Sequence, residues 1–273
     1  MTPLQSILLG ILQGLTEFIP ISSSAHLALL PYFVNWRVSS EIEFIFDILV
    51  QFATLGAVLV YYWSDLKQMF CSLLRNLLGN RDWSHPDSRL AFAVLVGTLP
   101  VVVLGYPLKG LVQEAFKQPL WIGCALLFTS MLLYTSEKRH RAGISTRPLT
   151  LLDALLIGLW QTLAVFPGIS RSGATIAGGL FRNLDRQQAT RFSFLLSIPA
   201  LAGAGIVSLV DFIQLPNSLQ YLPIILPGLL TAFVVGYLSI FWLVRYVQNH
   251  SLSLFAYYCF VLGVVVLLSV ALR

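Results

Sequence analysis

Two short polar segments interrupt a strongly apolar chain, and they carry the residue types that could do chemistry. The polar side chains of the first segment are Gln13, Glu17, Ser22, Ser23, Ser24 and His26. Gln13 and Glu17 are four residues apart, so a helix places them on one face. Carboxylate, hydroxyl and imidazole groups together are what nucleophilic and acid–base catalysis require. The structural alternative is a helix start capped by serine, which accounts for one hydroxyl but for neither Glu17 nor His26.

The second segment has the composition of an anion site. Its candidate binding residues are Gly168, Ser170, Arg171, Ser172 and Thr175. Glycine permits close approach of the backbone, a helix start offers free N–H groups to an anion, and the arginine fork fits phosphate. The Gly-Lys-Ser/Thr ending of a Walker loop is missing from this segment. The structural alternative pairs Arg171 with Glu17 or Asp47 as a clamp between helices.

Together the two segments contain what phosphoryl transfer needs, which is mostly positioning and charge stabilisation. Their apolar surroundings indicate a phosphate carried on a lipid. Asp47 and Gln51 are also four residues apart, on the next apolar segment. They would either line the same cavity or hold two helices together. We include Gln51 among the candidate substrate-binding residues.

The composition excludes an ordinary water-soluble enzyme. Of 273 residues, 57% are apolar and 11% charged, and the mean hydropathy is +0.79, whereas a soluble domain has about 25% charged residues. Cys71, Cys124 and Cys259 are too far apart for a metal site or a disulfide framework. The basic residues have no interleaved aromatic residues, so we expect no nucleic-acid partner.

The hydropathy pattern predicts an all-α polytopic membrane protein with six transmembrane helices and two re-entrant helical hairpins. A spanning helix needs roughly 20 apolar residues. Six segments qualify, at about 44–63, 90–106, 119–135, 192–211, 222–244 and 254–272. The two broken segments, 4–34 and 151–181, are interpreted as the hairpins, because non-helical backbone at membrane depth must be buried in protein or line a wet cavity. The alternative is that each is one kinked spanning helix.

The broken segments are related to each other in sequence. Shifted by 148 residues, GILQGLTEFIPISSS (10–24) aligns without gaps on GLWQTLAVFPGISRS (158–172), with seven identities in fifteen positions. We therefore predict a single membrane domain, 1–273, built from two pseudo-repeats of about 1–140 and 149–273. Each pseudo-repeat has a hairpin and three spans. Because three is an odd number, the second pseudo-repeat must have the opposite orientation in the membrane. Inverted repeats with broken helices place their site near the bilayer midplane.

Lysine and arginine are distributed unevenly over the two sides of this layout. Twelve of the 17 fall on one side, mostly in 64–89 and 136–191, and four fall on the other, while Arg171 lies inside the second hairpin. The positive-inside rule places the basic side in the cytoplasm and both termini outside. No lysine or arginine precedes Arg37, so we expect no cleaved signal peptide.

The segments QGLTEFIPISSSAH (13–26) and PGISRSGAT (167–175) resemble the two signature regions of the undecaprenyl-diphosphate phosphatase family, the bacitracin-resistance proteins of bacterial inner membranes. FSFLLSIPA (192–200) and the later spans look like that family too. The resemblance implies hydrolysis of undecaprenyl diphosphate to undecaprenyl phosphate and inorganic phosphate. That activity would recycle the carrier lipid for peptidoglycan synthesis and confer bacitracin resistance. The family's inverted repeat with re-entrant hairpins agrees with the hydropathy pattern.

The resemblance also implies residue roles. Gln13 stands where many members have a glutamate, so Glu17 would do the acid–base work. Ser23 and His26 fall on the motif serine and histidine, and Arg171 on the phosphate-binding arginine. A divalent cation, Mg²⁺ or Ca²⁺, would offset the diphosphate charge, with Glu17 as its ligand or as the proton acceptor. Ser23 or an activated water would attack phosphorus, and His26 would transfer the proton.

Two other functions fit the same architecture. A transporter or flippase for a polyprenyl phosphate lipid also uses inverted repeats and midplane hairpins, either alone or in addition to hydrolysis. A membrane scaffold would use its polar residues only to hold helices together. Glu17, Ser23 and His26 together favour the enzyme. The expected partners are a polyprenyl diphosphate lipid and the surrounding membrane lipid, and the oligomeric state stays open, a homodimer included.

Overall fold

Helices form all the regular structure in the part of the chain that the structure describes. The computed structural model describes residues 1–36, 40–80, 85–105, 107–116, 118–140, 147–214 and 218–272. Its α-helices are α1 (Pro3–Phe18), α2 (Ser23–Val34), α3 (Ser40–Tyr61), α4 (Trp63–Arg75), α5 (Pro86–Gly105), α6 (Lys109–Phe116), α7 (Pro119–Arg139), α8 (Leu151–Leu163), α9 (Arg171–Phe181), α10 (Arg186–Gln214), α11 (Leu222–Asn249) and α12 (Ser253–Ala271). A π-helical segment, Asn76–Asn80, follows α4, and a 3₁₀ turn, Ser218–Tyr221, precedes α11.

A helix occupies each of the six apolar segments of the sequence, namely α3, α5, α7, α10, α11 and α12. Within the described residues, α5, α7, α11 and α12 are long and apolar enough to cross a membrane. The pair Ile45–Tyr61 and Trp63–Gly79, bent by 75°, is a fifth candidate if it is counted as one span. The chain is therefore an all-α multi-pass membrane protein with four or five candidate spans by length and composition.

The outward faces of these helices are apolar. Leu95, Leu99 and Val102 on α5 are more than half exposed, as are Phe260 and Val261 on α12. A soluble monomer rarely exposes contiguous apolar surface of this kind, whereas lipid is a suitable neighbour for it. The exterior of the fold therefore agrees with its hydropathy.

The segment 64–89, which lies between two of the predicted spans, contains all but the first residue of helix α4. Asp65, Lys67 and Arg75 interrupt its hydropathy, so no 20-residue apolar window includes it. Its apolar residues, Leu66 and Met69 among them, recur at helical spacing and pack on the rest of the fold. An amphipathic helix of this type is recognised by period and not by total hydropathy.

The two polar breaks lie where the sequence disfavours continuous helix. Helix α1 ends at Phe18, two residues before Pro20, which has no N–H and biases the preceding residue away from the helical region. Helix α2 then begins after Ser22, whose backbone has the left-handed φ of 72°. In the second segment, α8 ends at Leu163, before Pro167 and Gly168, and α9 begins at Arg171.

Helices α8 and α9 fold back on each other. Asp153 in the first turn of α8 accepts from Arg182 Nε, just after the end of α9, at 2.7 Å. At the same end of α9, the ring of Phe181 contacts that of Trp160 on α8, with centroids 5.7 Å apart. The start of α8 and the end of α9 are therefore adjacent, which is the geometry of a helical hairpin.

Two close helix crossings hold these short helices to the long ones. Helix α1 packs along α11 and α8 packs along α5. A Cβ built on Gly10 would lie 2.1 Å from the Gly228 carbonyl oxygen, and one on Gly158 would lie 2.1 Å from that of Gly97. Only residues without a side chain allow backbones to approach this closely, as at small-residue crossings in membranes.

The remaining packing surrounds the broken segments. Helix α3 contacts α10 and α11, and α7 contacts α12 and α9. Phe18 at the end of α1 meets Phe194 of α10 edge-on, with ring centroids 5.4 Å apart, and both rings are fully buried. Of the charges counted for the topology, Arg37, Arg81, Lys117, Arg141 and Arg273 lie outside the described residues.

Candidate active site

The structure brings the two polar breaks together. The backbone N–H of Gly168 donates to the Ser24 hydroxyl at 3.4 Å, and the Ser172 hydroxyl donates to the Ile19 carbonyl, also at 3.4 Å. Each contact joins residues of opposite halves of the chain. The two polar segments of the sequence are therefore adjacent in the structure.

Glu17 is the centre of this region. It is 7% exposed, and three side chains donate to its carboxylate. Ser23 Oγ lies 2.7 Å and Gln13 Nε2 2.9 Å from Oε2, and Arg171 Nη2 lies 2.7 Å from Oε1. The shared face of Gln13 and Glu17 accounts for one of these bonds, and the turn between α1 and α2 brings Ser23 back to the end of α1.

Arg171 connects the second break to the first. Its side chain is 16% exposed, and its ion pair with Glu17 is the clamp between helices that the structural alternative predicts. The clamp uses only part of the guanidinium fork: Nη1 is buried and has no hydrogen-bond partner among the described residues. A buried donor without an acceptor costs about 1–3 kcal/mol. An anion placed at Nη1 would remove that cost.

The other hydroxyl groups are held by their helices. Ser22 and Ser170 are N-caps of α2 and α9, and their side chains accept from Ala25 N and Gly173 N. The Ser22 and Ser24 hydroxyl oxygens are 3.2 Å apart, and the Ser170 and Ser172 hydroxyl oxygens are separated by the same distance. Ser22 and Ser170 are therefore helix caps, as the structural alternative expects. Among these serines, only Ser23 donates to Glu17.

Thr175 faces the neighbouring helix α10. Its hydroxyl donates to the Arg171 carbonyl at 2.8 Å and lies 2.6 Å from the Ser193 hydroxyl. These contacts tie the first turn of α9, and with it the backbone of Arg171, to α10. Thr175 therefore supports the position of the arginine.

Gly168 is crowded by protein. Its φ is 95°, which favours glycine, and an added Cβ would lie 2.7 Å from the Ile122 carbonyl and 2.6 Å from the Ala125 side chain. Thr129 Oγ1 donates to the Gly168 carbonyl at 3.1 Å and accepts from Ser170 N at 3.1 Å. The glycine thus allows α7 to approach the turn, which accounts for the residue type without a ligand.

His26 faces α12. It is 8% exposed, and its ring nitrogens contact the Ser22 carbonyl and the Tyr258 hydroxyl, both at 2.7 Å. Among the described residues, no hydrogen bond joins His26 to Glu17 or Arg171. The structure thus separates the imidazole from the carboxylate–serine pair.

The two candidate glutamines differ in their contacts with Glu17. Gln13 is fully buried beside Glu17, and its Oε1 has no partner in the described part of the chain. Gln51 is half-buried on α3, where its backbone carbonyl accepts a hydrogen bond from Thr54 Oγ1 at 3.0 Å. No hydrogen bond between described residues connects the Gln51 side chain to Glu17.

The described residues offer few ligands for a cation. No group of three or more His, Cys, Asp or Glu side chains converges in the described ranges. Glu17 and the unpartnered Oε1 of Gln13 are the oxygens near Ser23 that would suit Mg²⁺ or Ca²⁺. Mg²⁺ is often held by one or two protein oxygens, with substrate phosphates and water completing the shell, whereas Ca²⁺ takes about six to eight oxygen ligands. The residues present fit a cation that binds together with a diphosphate.

Sequence reasoning missed two polar residues that position the site. Thr129 and Tyr258 lie inside apolar segments with no motif around them, so only the helix packing reveals their contacts.

Comparison with known proteins identifies the family. Residues 6–265 match the family model described as bacitracin resistance protein BacA. The chain belongs to this family. The BacA resemblance inferred from the two motifs is thereby confirmed.

Similar proteins cover the BacA-family chain almost end to end. An undecaprenyl-diphosphatase from Desulfosudis oleivorans is 43% identical over 98% of both chains. Undecaprenyl-diphosphatase 1 from Corynebacterium jeikeium is 41% identical, covering 98% of this chain and 94% of the relative. An undecaprenyl-diphosphatase from Methanosphaera stadtmanae is 38% identical, over 98% of this chain and 99% of its own.

Proposed function

We propose that this protein is a membrane phosphatase that hydrolyses undecaprenyl diphosphate to undecaprenyl phosphate and inorganic phosphate. The observation that carries the proposal is the buried cluster in which Glu17 accepts from both the Ser23 hydroxyl and the Arg171 guanidinium. Relatives named for this activity align over nearly the whole chain. In the cell, the activity recycles the carrier lipid for peptidoglycan synthesis and gives resistance to bacitracin.

Ser23 is the nucleophile in this proposal. Its Oγ attacks the terminal phosphorus as its proton passes to Glu17 Oε2, to which it already donates. The bond from that phosphorus to the bridging oxygen breaks, and undecaprenyl phosphate leaves. Water then attacks the phosphoserine, which releases inorganic phosphate and restores the serine. If water attacks directly, Glu17 takes the water proton instead.

Arg171 binds the phosphate in this proposal. Its Nη1 donates to a phosphoryl oxygen while Nη2 stays on Glu17, so the guanidinium connects the base to the reacting group. Charge-assisted hydrogen bonds to phosphate are the strong class. Loss of one preorganised donor of this kind costs about 10²–10³ in rate.

A divalent cation is proposed as a cofactor that arrives with the substrate. Glu17 and Gln13 Oε1 would hold it, with diphosphate oxygens supplying further ligands. When bound, it neutralises phosphate charge that Arg171 alone would have to balance. In this proposal, protein side chains alone do not complete the coordination shell of the cation.

We also propose that both broken segments are re-entrant hairpins. Helices α1, α2, α8 and α9 have 16, 12, 13 and 11 residues, or at most about 24 Å at 1.5 Å per residue. A bilayer core is about 30 Å thick. The ion pair between Asp153 and Arg182 supports the proposal, since it holds both ends of the second segment at one side.

The proposed inverted repeat is supported by paired contacts related by the 148-residue shift. Thr2 and Thr150 each form a capping box with the residue three positions later. Ser22 and Ser170 each cap the second helix of a hairpin. The close crossings at Gly10 and Gly158 are equivalent positions. In this proposal six spans put both termini on one side of the inner membrane, and the positive-inside rule assigns that side to the outside and the basic loops to the cytoplasm.

Transport of a polyprenyl phosphate lipid is the less favoured function. A carrier needs an anion clamp but needs no hydroxyl aligned on a carboxylate, as Ser23 is on Glu17. The names of the relatives refer to hydrolysis. The oligomeric state stays open, a homodimer included.

The test is phosphate release from undecaprenyl diphosphate by purified protein in detergent, with and without divalent cation. We expect cation-dependent release that falls at least about 100-fold in Arg171→Ala and Glu17→Ala. Ser197→Ala, which removes a buried hydroxyl that bonds its own helix, is the matched control and should keep wild-type turnover. Thermal melting of each variant separates loss of activity from loss of folding. Turnover retained in Arg171→Ala would contradict the assignment of the phosphate clamp.

A further inference from the structure

The hydrogen bonds of His26 define the state of its ring. Nδ1 lies 2.7 Å from the Ser22 carbonyl oxygen, which can only accept, so Nδ1 carries a hydrogen. In the neutral ring, Nε2 then has a lone pair. The group facing that lone pair is the Tyr258 hydroxyl, 2.7 Å away, which acts as the donor.

Tyr258 also connects the buried imidazole to its surroundings. His26 is 8% exposed and Tyr258 is 43% exposed. The two rings are nearly parallel, at 8°, with centroids 5.7 Å apart. Because Ser22 occupies Nδ1, a proton can reach or leave the imidazole only at Nε2. The proton must therefore be transferred through the Tyr258 hydroxyl, unless that hydroxyl moves away from Nε2.

We propose that Tyr258 is a positioning residue for His26, one that holds the imidazole in its Nδ1–H form and passes protons to and from Nε2. In the transfer, Nε2 takes the hydroxyl proton of Tyr258 while the tyrosine oxygen takes a proton from a hydronium ion, which leaves water, or from a protonated phosphate oxygen, which leaves the phosphate anion. One proton is added to His26, and Tyr258 ends neutral, as it began. The reverse transfer returns the proton. The catalytic use of this pair rests on the proposed phosphatase function.

The adjacent Tyr257 provides a matched control. It lies one residue earlier on α12, is 60% exposed, and contacts the ring of Tyr134, at 6.4 Å between centroids, on α7. Tyr257→Phe therefore removes the same hydroxyl from the same helix without touching His26. A general effect of losing a tyrosine hydroxyl on α12 would occur in both variants.

The kinetic test compares Tyr258→Phe, His26→Gln, the double variant and Tyr257→Phe. We expect kcat of Tyr258→Phe to fall about 10-fold or more, with little change in KM and an altered pH profile. The double variant should lose no more than His26→Gln alone, because both substitutions interrupt one proton path. Wild-type kcat and pH profile in Tyr258→Phe, or losses that multiply in the double variant, would overturn the proposal.

A second readout does not depend on activity. ¹⁵N-histidine NMR in detergent reports the tautomer of each of the four histidines, and His26→Gln identifies the signals of His26. We expect the Nδ1–H tautomer in the wild type and a shift of the Nε2 resonance in Tyr258→Phe but not in Tyr257→Phe. A proton on Nε2 in the wild type would refute the placement of Tyr258 as donor. If the wild type released no phosphate, the phosphatase proposal would fail while this result still decided the contact.

Discussion

At the scale of single residues, Ser23 and Glu17 stand out because a short helix break places a hydroxyl against a carboxylate in a buried setting. Ser23 Oγ donates to Glu17 at 2.7 Å, and Arg171 holds the other carboxylate oxygen. The carboxylate therefore cannot turn away from the serine without also losing its ion pair with the arginine. This preorganisation is what favours serine over an unplaced water as the attacking group.

Ser23 should form a covalent phosphate intermediate. Substrate labelled with ³²P at its terminal phosphate, quenched in acid during turnover, should leave label on the wild-type protein and none on Ser23→Ala. We expect the variant to release phosphate at least about 100-fold more slowly. Ser197→Ala should label like the wild type. Full turnover in Ser23→Ala would assign the attack to water.

The residue types of the site were readable from the sequence, but several of their contacts were not. Gln13 and Glu17 follow from helical spacing, and serine caps follow from the positions before α2 and α9. The contact of His26 with Tyr258 joins residues 232 positions apart and depends on where α12 packs. The glycine motif predicted a close approach of the backbone at Gly168, but the approach of α7 to that position, at Ile122 and Ala125, required the structure.

At the scale of helices, two glycine crossings hold the short helices of the breaks to the long ones. The Gly10–Gly228 contact joins α1 to α11, and the Gly158–Gly97 contact joins α8 to α5. Helices of 16 and 13 residues are at most marginally stable in isolation, so packing against the long helices must supply most of their stability. The position of Glu17, seven residues after Gly10, follows from the first crossing.

Gly10→Ala and Gly158→Ala should each lower the melting temperature in detergent. The added methyl would lie 2.1 Å from a backbone oxygen, so the helices must separate, and overpacking typically costs about 1–3 kcal/mol. Gly203→Ala is the control, because its Cβ meets nothing within 4 Å and alanine is the better helix former. Melting of both crossing variants at the wild-type temperature would mean that these contacts do not hold the helices.

Hydropathy predicted the long helices well because lipid-facing segments must be apolar along their whole length. All six predicted segments contain helices, with ends within a few residues of the expected bounds. Helix α4 was missed because its polar residues lower the average. The fold-back of α8 and α9 was expected from the polar break, but the Asp153–Arg182 pair that joins its ends required the structure.

At the scale of the whole molecule, the hairpin interpretation and the kinked-span interpretation place the loops on different sides. Gln118 precedes α7 and Asn249 ends α11. If α8 and α9 form a re-entrant hairpin, three spans separate these residues, namely α7, α10 and α11, and they lie on opposite sides of the membrane. If α8 and α9 form one kinked span, four crossings separate them, and both lie on the same side.

Cysteine labelling distinguishes the two arrangements. In a background with Cys71, Cys124 and Cys259 replaced by alanine, Gln118→Cys and Asn249→Cys each introduce one thiol at an exposed position. We expect a membrane-impermeant maleimide added to spheroplasts to label Gln118→Cys at once and Asn249→Cys only after permeabilisation. That result requires both the hairpin and the orientation given by the basic loops. Labelling of both thiols from one side would support the kinked span, and the opposite order would reverse the orientation while keeping the hairpin.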